Sequence, residues 1–276
     1  MSNYQIFIVL LLLNVIISTC LYLYLHKKTR ISLKFLFIDN LLVGTISGLV
    51  TNYFFTILYD YINQFYVVAI LGIFSVLLVP LLGFAFTMIR FWRTPIRSVR
   101  ARSDELVSPA DGNVIYIKKV ESGQIPITIK NGLSTKISEI SQTDILDQSS
   151  WLIGINMTPF DVHKNCAIVS GKIILNKHVS GKFLSLKNPE ALIQNERNTL
   201  VIKSIDNELY GIIQTASRLV RRIDSYVKEG QSIKQGDWFG MIRFGSQVDI
   251  IIPINYKVNI KVGEQVYAKE TIIASK

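Results

Sequence analysis

Residues 1–89 of this 276-residue chain carry only six charged side chains: Lys27, Lys28, Arg30, Lys34, Asp39 and Asp60. Around them run three uncharged stretches, Ile6 to Leu25, Leu41 to Tyr59 and Tyr61 to Ile89, the last interrupted by Pro80. A helix of about 20 apolar residues crosses roughly 30 Å of hydrocarbon. Residues 1–90 are therefore expected to form a membrane region of two to three transmembrane α-helices. The middle stretch is the least apolar, with Thr45, Ser47, Thr51 and Asn52. The first has neither the basic leader nor the small-residue cleavage site of a signal peptide.

Basic residues orient such a region, because the flanks rich in lysine and arginine stay in the cytoplasm. Lys27, Lys28, Arg30 and Lys34 follow the first stretch, and Arg90, Arg93, Arg97, Arg100 and Arg102 follow the third. Three spans then put the N-terminus outside and everything after residue 90 inside. Residues 91–106 read as a basic juxtamembrane linker, a topological anchor that also attracts anionic lipid. The net charge of +10 is a weak case for nucleic acid. Its arginines crowd the membrane exit, and no basic groove rich in aromatics follows. The totals, 49% hydrophobic and 18% charged, average two unlike parts. Cys20 and Cys166 are too few for a disulfide framework.

Residues 107–276 are long enough for one globular core. Their pattern is short β-branched and aromatic runs between turns: Val114–Ile117, Ile125–Ile129, Trp151–Met157, Ile168–Leu175, Leu200–Ile205 and Tyr210–Thr215. Asn131-Gly132 marks a hairpin. A short helix fits around Pro189–Gln194. The segment Val227–Ile233 is echoed by Ile260–Val266, with Gly230 and Gly263 at matching places. Glycine turns between short strands of this kind recur in barrel-sandwich hybrid folds, so the expected class is a predominantly β, barrel-sandwich-like domain behind the helices.

Three polar segments interrupt the apolar strands. Ser108-Pro109-Ala110-Asp111-Gly112 reads as a tight turn. Met157–Asn165, with Asp161 and His163, reads as a loop closing a strand. Arg243-Phe244-Gly245-Ser246-Gln247-Val248 reads as a glycine bulge. Asp161, His163 and Cys166 have no metal-ligand spacing of the HExxH or paired CxxC kind, so no metal is expected. A G-x-S-x-G elbow and a phosphate-cradling loop are both absent from the sequence.

In order along the chain, these segments resemble the phosphatidylserine decarboxylases, particularly the shorter prokaryotic type. The likeness runs from Phe91-Trp92-Arg93-Thr94-Pro95 through Ser-Pro-Ala-Asp-Gly and Pro159-Phe160-Asp161-Val162-His163. It continues in Val169-Ser170-Gly171-Lys172, Asn195-Glu196-Arg197-Asn198 and Arg221-Arg222-Ile223, and closes in Gly240–Ser246. The resemblance implies a proenzyme that cuts itself between Gly245 and Ser246. Ser246 would become a covalently bound pyruvoyl group, the cofactor. A large chain 1–245 would stay paired with a small chain 246–276. His163 would be the base, oriented by Asp111, in a Ser-His-Asp arrangement defined by roles. The pyruvoyl group would condense with the substrate amine and accept the electrons released as carbon dioxide leaves. Arg221 and Arg222 would contact the lipid phosphate or form exposed salt bridges.

The function so implied is decarboxylation of phosphatidylserine to phosphatidylethanolamine by a multi-pass membrane enzyme with its catalytic domain on the cytoplasmic face. Its partner is the phospholipid in the bilayer, and a homo-oligomer is compatible with the sequence. The same reaction on an archaeal ether-linked serine lipid fits equally, since the motifs read the headgroup. A non-catalytic, membrane-tethered barrel-sandwich adaptor explains the anchor and the repeat, but leaves Asp111, His163 and Gly245-Ser246 as coincidence. A serine hydrolase built on the same three residues lacks the elbow.

Overall fold

The computed structural model describes residues 2–29, 33–122, 127–128, 134–217, 222–243 and 246–276. The chain divides into two compact units, Met1–Arg90 and Phe91–Lys276.

Three helices make up the first unit: α1 (Asn3–Thr29), α2 (Leu33–Leu58) and α3 (Gln64–Trp92), whose last two residues belong to the second unit. All three are long and apolar enough to cross a membrane. The polar residues of the middle stretch lie between helices. A Cβ on Gly44 would sit 2.9 Å from the Val15 Cα, and one on Gly48 2.7 Å from the Leu11 Cδ1. This Gly-x-x-x-Gly face lets α2 press on α1. Asn14 Nδ2 donates to Thr51 Oγ1 at 3.1 Å and to Ser75 Oγ at 3.0 Å, joining all three helices. Arg90 grips the fully buried Asp39 with both arms of its guanidinium.

The second unit is mostly sheet. Its strands are β1 (Glu105–Val107), β2 (Gly112–Val120), β3 (Ile127–Thr128), β4 (Ser134–Thr135), β5 (Ser150–Met157), β6 (Lys164–Cys166), β7 (Gly171–Val179) and β8 (Arg197–Lys203). They continue with β9 (Leu209–Thr215), β10 (Ile223–Ser225), β11 (Ser232–Ile233), β12 (Trp238–Ile242), β13 (Ser246–Pro253), β14 (Lys257–Val258), β15 (Gln265–Val266) and β16 (Ile272–Ser275). Two short helices, α4 (Ile137–Ser141) and α5 (Ala191–Gln194), complete it. The main sheet has eight strands in the order β11-β7-β8-β9-β13-β5-β2-β15 and curls into a half-barrel.

Both faces of this sheet are covered, which is why its central strands read as apolar runs. Val248, Ile250 and Ile252 of β13 join Ile153, Ile155, Leu200, Ile202 and Ile212 in one core. Ile251 points the other way, with Leu152, Val201 and Ile213, under Ile137 and Ile140 of α4 and Leu192 of α5. Each such side chain, fully buried, contributes about 1.5–3 kcal/mol.

The sequence repeat is structural. Its copies end in β11 and β15, the two edges of the eight-stranded sheet. Gly230 and Gly263 have φ of 83° and 90°. Ile233 of β11 faces Gly171, and Val266 of β15 faces Gly112. The strand expected over Ile168–Leu175 begins three residues later, because the chain bends at Ile168 and Val169 before Gly171. The strand expected over Leu200–Ile205 begins at Arg197. The Asn131-Gly132 turn lies outside the described residues, although β3 and β4 pair across it.

Candidate active site

The two segments that carry His163 and Ser246 run side by side. Met157 ends β5 and stands opposite Ser246, the first residue of β13. Six residues later the His163 carbonyl accepts the Ile242 N–H at 3.1 Å, extending the pairing of β6 with β12. The bond preceding Ser246 is thus bracketed by two pinned points, both against the loop that presents His163. Gly245, Phe244 and Arg221 lie outside the described residues, as does the Ser246 side chain.

His163 is fully buried. Its Nδ1 lies 2.9 Å from the Asp161 carbonyl oxygen, and a carbonyl only accepts. Nδ1 therefore carries the proton, and Nε2 is left as a bare lone pair. Nε2 has no hydrogen-bond partner among the described residues. Burial pushes the imidazole pKa down to about 4, with the Arg93 charge adding to the shift. The ring stacks at 4.1 Å against Phe91, which is itself fully buried. A neutral, desolvated imidazole with a free lone pair is a base lacking its proton donor.

The loop holding it is self-braced. The Asp161 carboxylate accepts the Thr158 N–H at 2.7 Å and the Thr158 hydroxyl at 2.8 Å. Gln265 Nε2 donates to its other oxygen at 3.1 Å. Burial nonetheless raises the Asp161 pKa. Arg93 donates to the Phe160 carbonyl at 3.1 Å from outside the loop.

Asp111 is not the group that orients His163 in this structure. Its buried carboxylate is forked by Arg97, one arm at 3.0 Å, and accepts the Ala268 N–H at 2.8 Å. The orienting acceptor on His163 is the Asp161 peptide carbonyl. Gly112, next to Asp111, has φ of 153°, and a Cβ there would meet the Asn156 carbonyl oxygen at 2.5 Å, so the turn requires glycine. Cys166 is buried with its thiol on the Ser108 carbonyl at 3.3 Å, and burial raises its pKa to about 12, which makes it inert. Arg222 is an exposed residue that pairs with Asp224 at 2.8 Å, and Arg243 grips the same carboxylate.

The arginine run does more than anchor. Arg90 closes on Asp39, Arg93 on Phe160 and Arg97 on Asp111. Buried carboxylates and carbonyls attract these cations more strongly than solvent does, so three of the five arginines are held inside their own unit. The amides of Asn165 and Gln214, whose Nε2 donates to Asn165 Oδ1 at 2.8 Å, are site-side groups that sequence reasoning did not single out, and it gave Arg97 and Asp161 other roles. No metal-ligating cluster occurs among the described residues.

Comparison with known proteins follows the same segments. Residues 84–274 match the family model of phosphatidylserine decarboxylase. A relative from Methanocaldococcus jannaschii, provisionally named an archaetidylserine decarboxylase proenzyme, is 40% identical over 188 residues, which cover 67% of this chain and 88% of that one. A second, from Methanothermobacter thermautotrophicus and provisionally given the same name, is 40% identical over 187 residues, 68% of this chain and 79% of its own. The phosphatidylserine decarboxylase proenzyme of Cytophaga hutchinsonii is 33% identical over 200 residues, 72% of this chain and 81% of its own.

Proposed function

Because the chain belongs to the phosphatidylserine decarboxylase family, we propose that it is a self-cleaving, membrane-anchored proenzyme that decarboxylates the serine headgroup of a phospholipid, converting phosphatidylserine to phosphatidylethanolamine and carbon dioxide. The observation that carries this reading is the His163 Nε2 lone pair, buried without a donor among the described residues, on the loop that faces the start of β13. A serine hydroxyl is the donor it lacks.

In the first reaction His163 Nε2 takes the Ser246 hydroxyl proton as Oγ attacks the Gly245 carbonyl carbon. The C–N bond breaks, the proton passes to the freed nitrogen, and an ester joins residue 245 to Ser246. Loss of the Ser246 α-proton expels the residue 245 carboxylate. Water then replaces nitrogen, releasing ammonia and leaving chain 1–245 paired with chain 246–276. The pyruvoyl group so formed would supply the carbonyl that condenses with the substrate amine and the sink for the electron pair left as carbon dioxide departs. His163 Nε2, protonated from solvent during that cycle, would pass on the proton that replaces the carboxylate.

The division of labour along the chain is residues 1–90 as a multi-pass membrane anchor, 91–106 as a basic linker, and 107–276 as a barrel-sandwich-like catalytic domain on the cytoplasmic face. Three apolar helices and the edge repeat support it. Arg222, exposed beside Arg243, is the phosphate contact on the described surface. An ether-linked archaeal serine lipid is the second reading for the substrate, favoured by the 40% identity to the two archaeal relatives.

The test is a denaturing gel of the full chain made in phospholipid vesicles, followed by carbon dioxide release from each lipid. Ser246→Ala should leave one uncut chain and no activity. Cleavage that persists in this variant would put the nucleophile elsewhere.

A further inference from the structure

A line of amides, half-buried at Asn176 and buried from Asn198 on, runs along the inner face of the sheet towards the start of β13. Asn176 Nδ2 donates to the Val227 carbonyl at 2.7 Å. Asn198 Nδ2 donates to Asn176 Oδ1 at 3.0 Å and reaches Gln214 Oε1 at 3.4 Å. Gln214 Nε2 donates to Asn165 Oδ1 at 2.8 Å. The Val227 carbonyl only accepts, so it fixes which way Asn176 points, and each amide then fixes the next. The last in line, Asn165, has its oxygen taken and its Nδ2 turned outward.

Among the described residues that Nδ2 finds only the Met157 sulfur, at 3.9 Å. A thioether is a weak acceptor, so a fully buried amide donor ends the line nearly unsatisfied. A buried donor left so costs about 1–3 kcal/mol. Met157 is the register partner of Ser246, and Asn165 follows His163 by two residues on the same strand edge. Among the described residues the site thus holds a base without a donor and, beside it, a donor with only a weak acceptor. Gly240 leaves room for the line, since a Cβ there would lie 3.1 Å from Gln214 Nε2.

We propose that Asn165 Nδ2 is the oxyanion donor of the self-cleavage step, aimed by Gln214 at the oxygen that gains charge as Ser246 attacks the peptide bond before it. Asn165 is then a catalytic residue and Gln214 a positioning residue. The inference rests on Ser246 being the cleavage nucleophile.

The rate of chain splitting in the full-length protein made in vesicles tests it. Asn165→Asp keeps the shape and removes the donor, and should slow cleavage about 100- to 1,000-fold. Gln214→Glu keeps Asn165 but reverses it, because a carboxylate only accepts and draws Nδ2 back towards itself. It should slow cleavage comparably in the folded fraction, while the buried carboxylate also lowers the thermal unfolding midpoint. Hydroxylamine, which cleaves a preformed ester, should rescue neither variant, since the lost step precedes the ester. Gln214→Glu cleaving at the parental rate, or hydroxylamine restoring cleavage, would overturn the proposal. Should Asn165→Asp fail to fold, Gln214→Glu alone decides. Ser246→Ala separates the two readings: if it blocks cleavage while Gln214→Glu does not slow it, only the oxyanion assignment falls.

Discussion

Each unit of the molecule closes an arginine fork over a buried aspartate. In the helical unit Asp39 is fully buried and Arg90 one-quarter exposed. In the sheet unit Asp111 is buried and Arg97 only 11% exposed. The chemistry is the same, but the surroundings differ. Asp39 ties α2 to α3, among side chains some of which also bond across helices, such as Asn14 to Thr51 and Ser75. Asp111 sits in the Ser108–Gly112 turn, where its charge also lifts the Asp161 pKa, and Asp161 holds His163. One pair fastens helices together, and the other sits in a turn whose Pro109 and Ser108 carbonyls accept from Cys166, three residues beyond His163. Two like forks thus differ in their neighbours, and on the proposed reading only the second bears on chemistry.

Removing each arginine in turn should break the equivalence most sharply. A buried carboxylate stripped of its partner costs about 3–5 kcal/mol. Arg97→Ala and Arg90→Ala should both destabilise their units on that scale, as seen by thermal unfolding in detergent. Self-cleavage should stop in the first and continue in whatever folded fraction of the second survives. Replacing Asp111 and Arg97 together by Leu and Met should recover most of the stability without recovering cleavage. Cleavage at the parental rate in that double variant would reduce the Asp111 pair to another structural clasp.

Acid offers a smaller separation, of about 3 kcal/mol. The folded protein holds His163 with a pKa of about 4, against about 6.5 when unfolded. Between these values the unfolded chain binds a proton that the folded chain refuses, so stability falls as pH drops from 6.5 towards 4 and is unaffected above 6.5. Unfolding of the sheet unit followed across this window should show the loss, and His163→Gln should flatten it. Cleavage should lack an inflection near pH 6.5, because His163 remains an unprotonated base well below it.

The sequence carried the architecture where one physical signal dominated. Charge-free runs of helical length marked all three helices, and β-branched runs marked β5 and β9 nearly to their ends and the middle of β2. The glycine repeat marked both sheet edges without saying that they were edges, since pairing between distant strands leaves no local trace. The site was legible through Ser246, His163 and Asp111 as residue types, but their partners were not. Arg97 read as one more anchor arginine, because burial opposite an aspartate 14 residues on is a tertiary fact. Asp161 was visible, yet its contribution to His163 is a backbone carbonyl, which every residue has. Gln214 lay unremarked in a strand, because only the stacking of β7, β8, β9 and β6 turns scattered amides into a line.

The smallest expected effect concerns Arg222, the described member of the arginine pair assigned to lipid phosphate. Its guanidinium is 68% exposed and held at 2.8 Å by Asp224, which Arg243 also grips. Exposed pairs of this kind contribute about 0–1 kcal/mol, and Asp224 keeps a second partner if one is lost. Arg222→Ala should therefore leave unfolding and self-cleavage where they are. Its effect should fall on the substrate, raising KM several-fold with little change in kcat, because a phosphate contact remote from the reacting carbon binds ground state and transition state alike. Arg222→Lys should restore charge but not the planar fork, and so recover KM in part. An unchanged KM in Arg222→Ala would leave the residue as a surface salt bridge, and phosphate recognition would have to come from another cation.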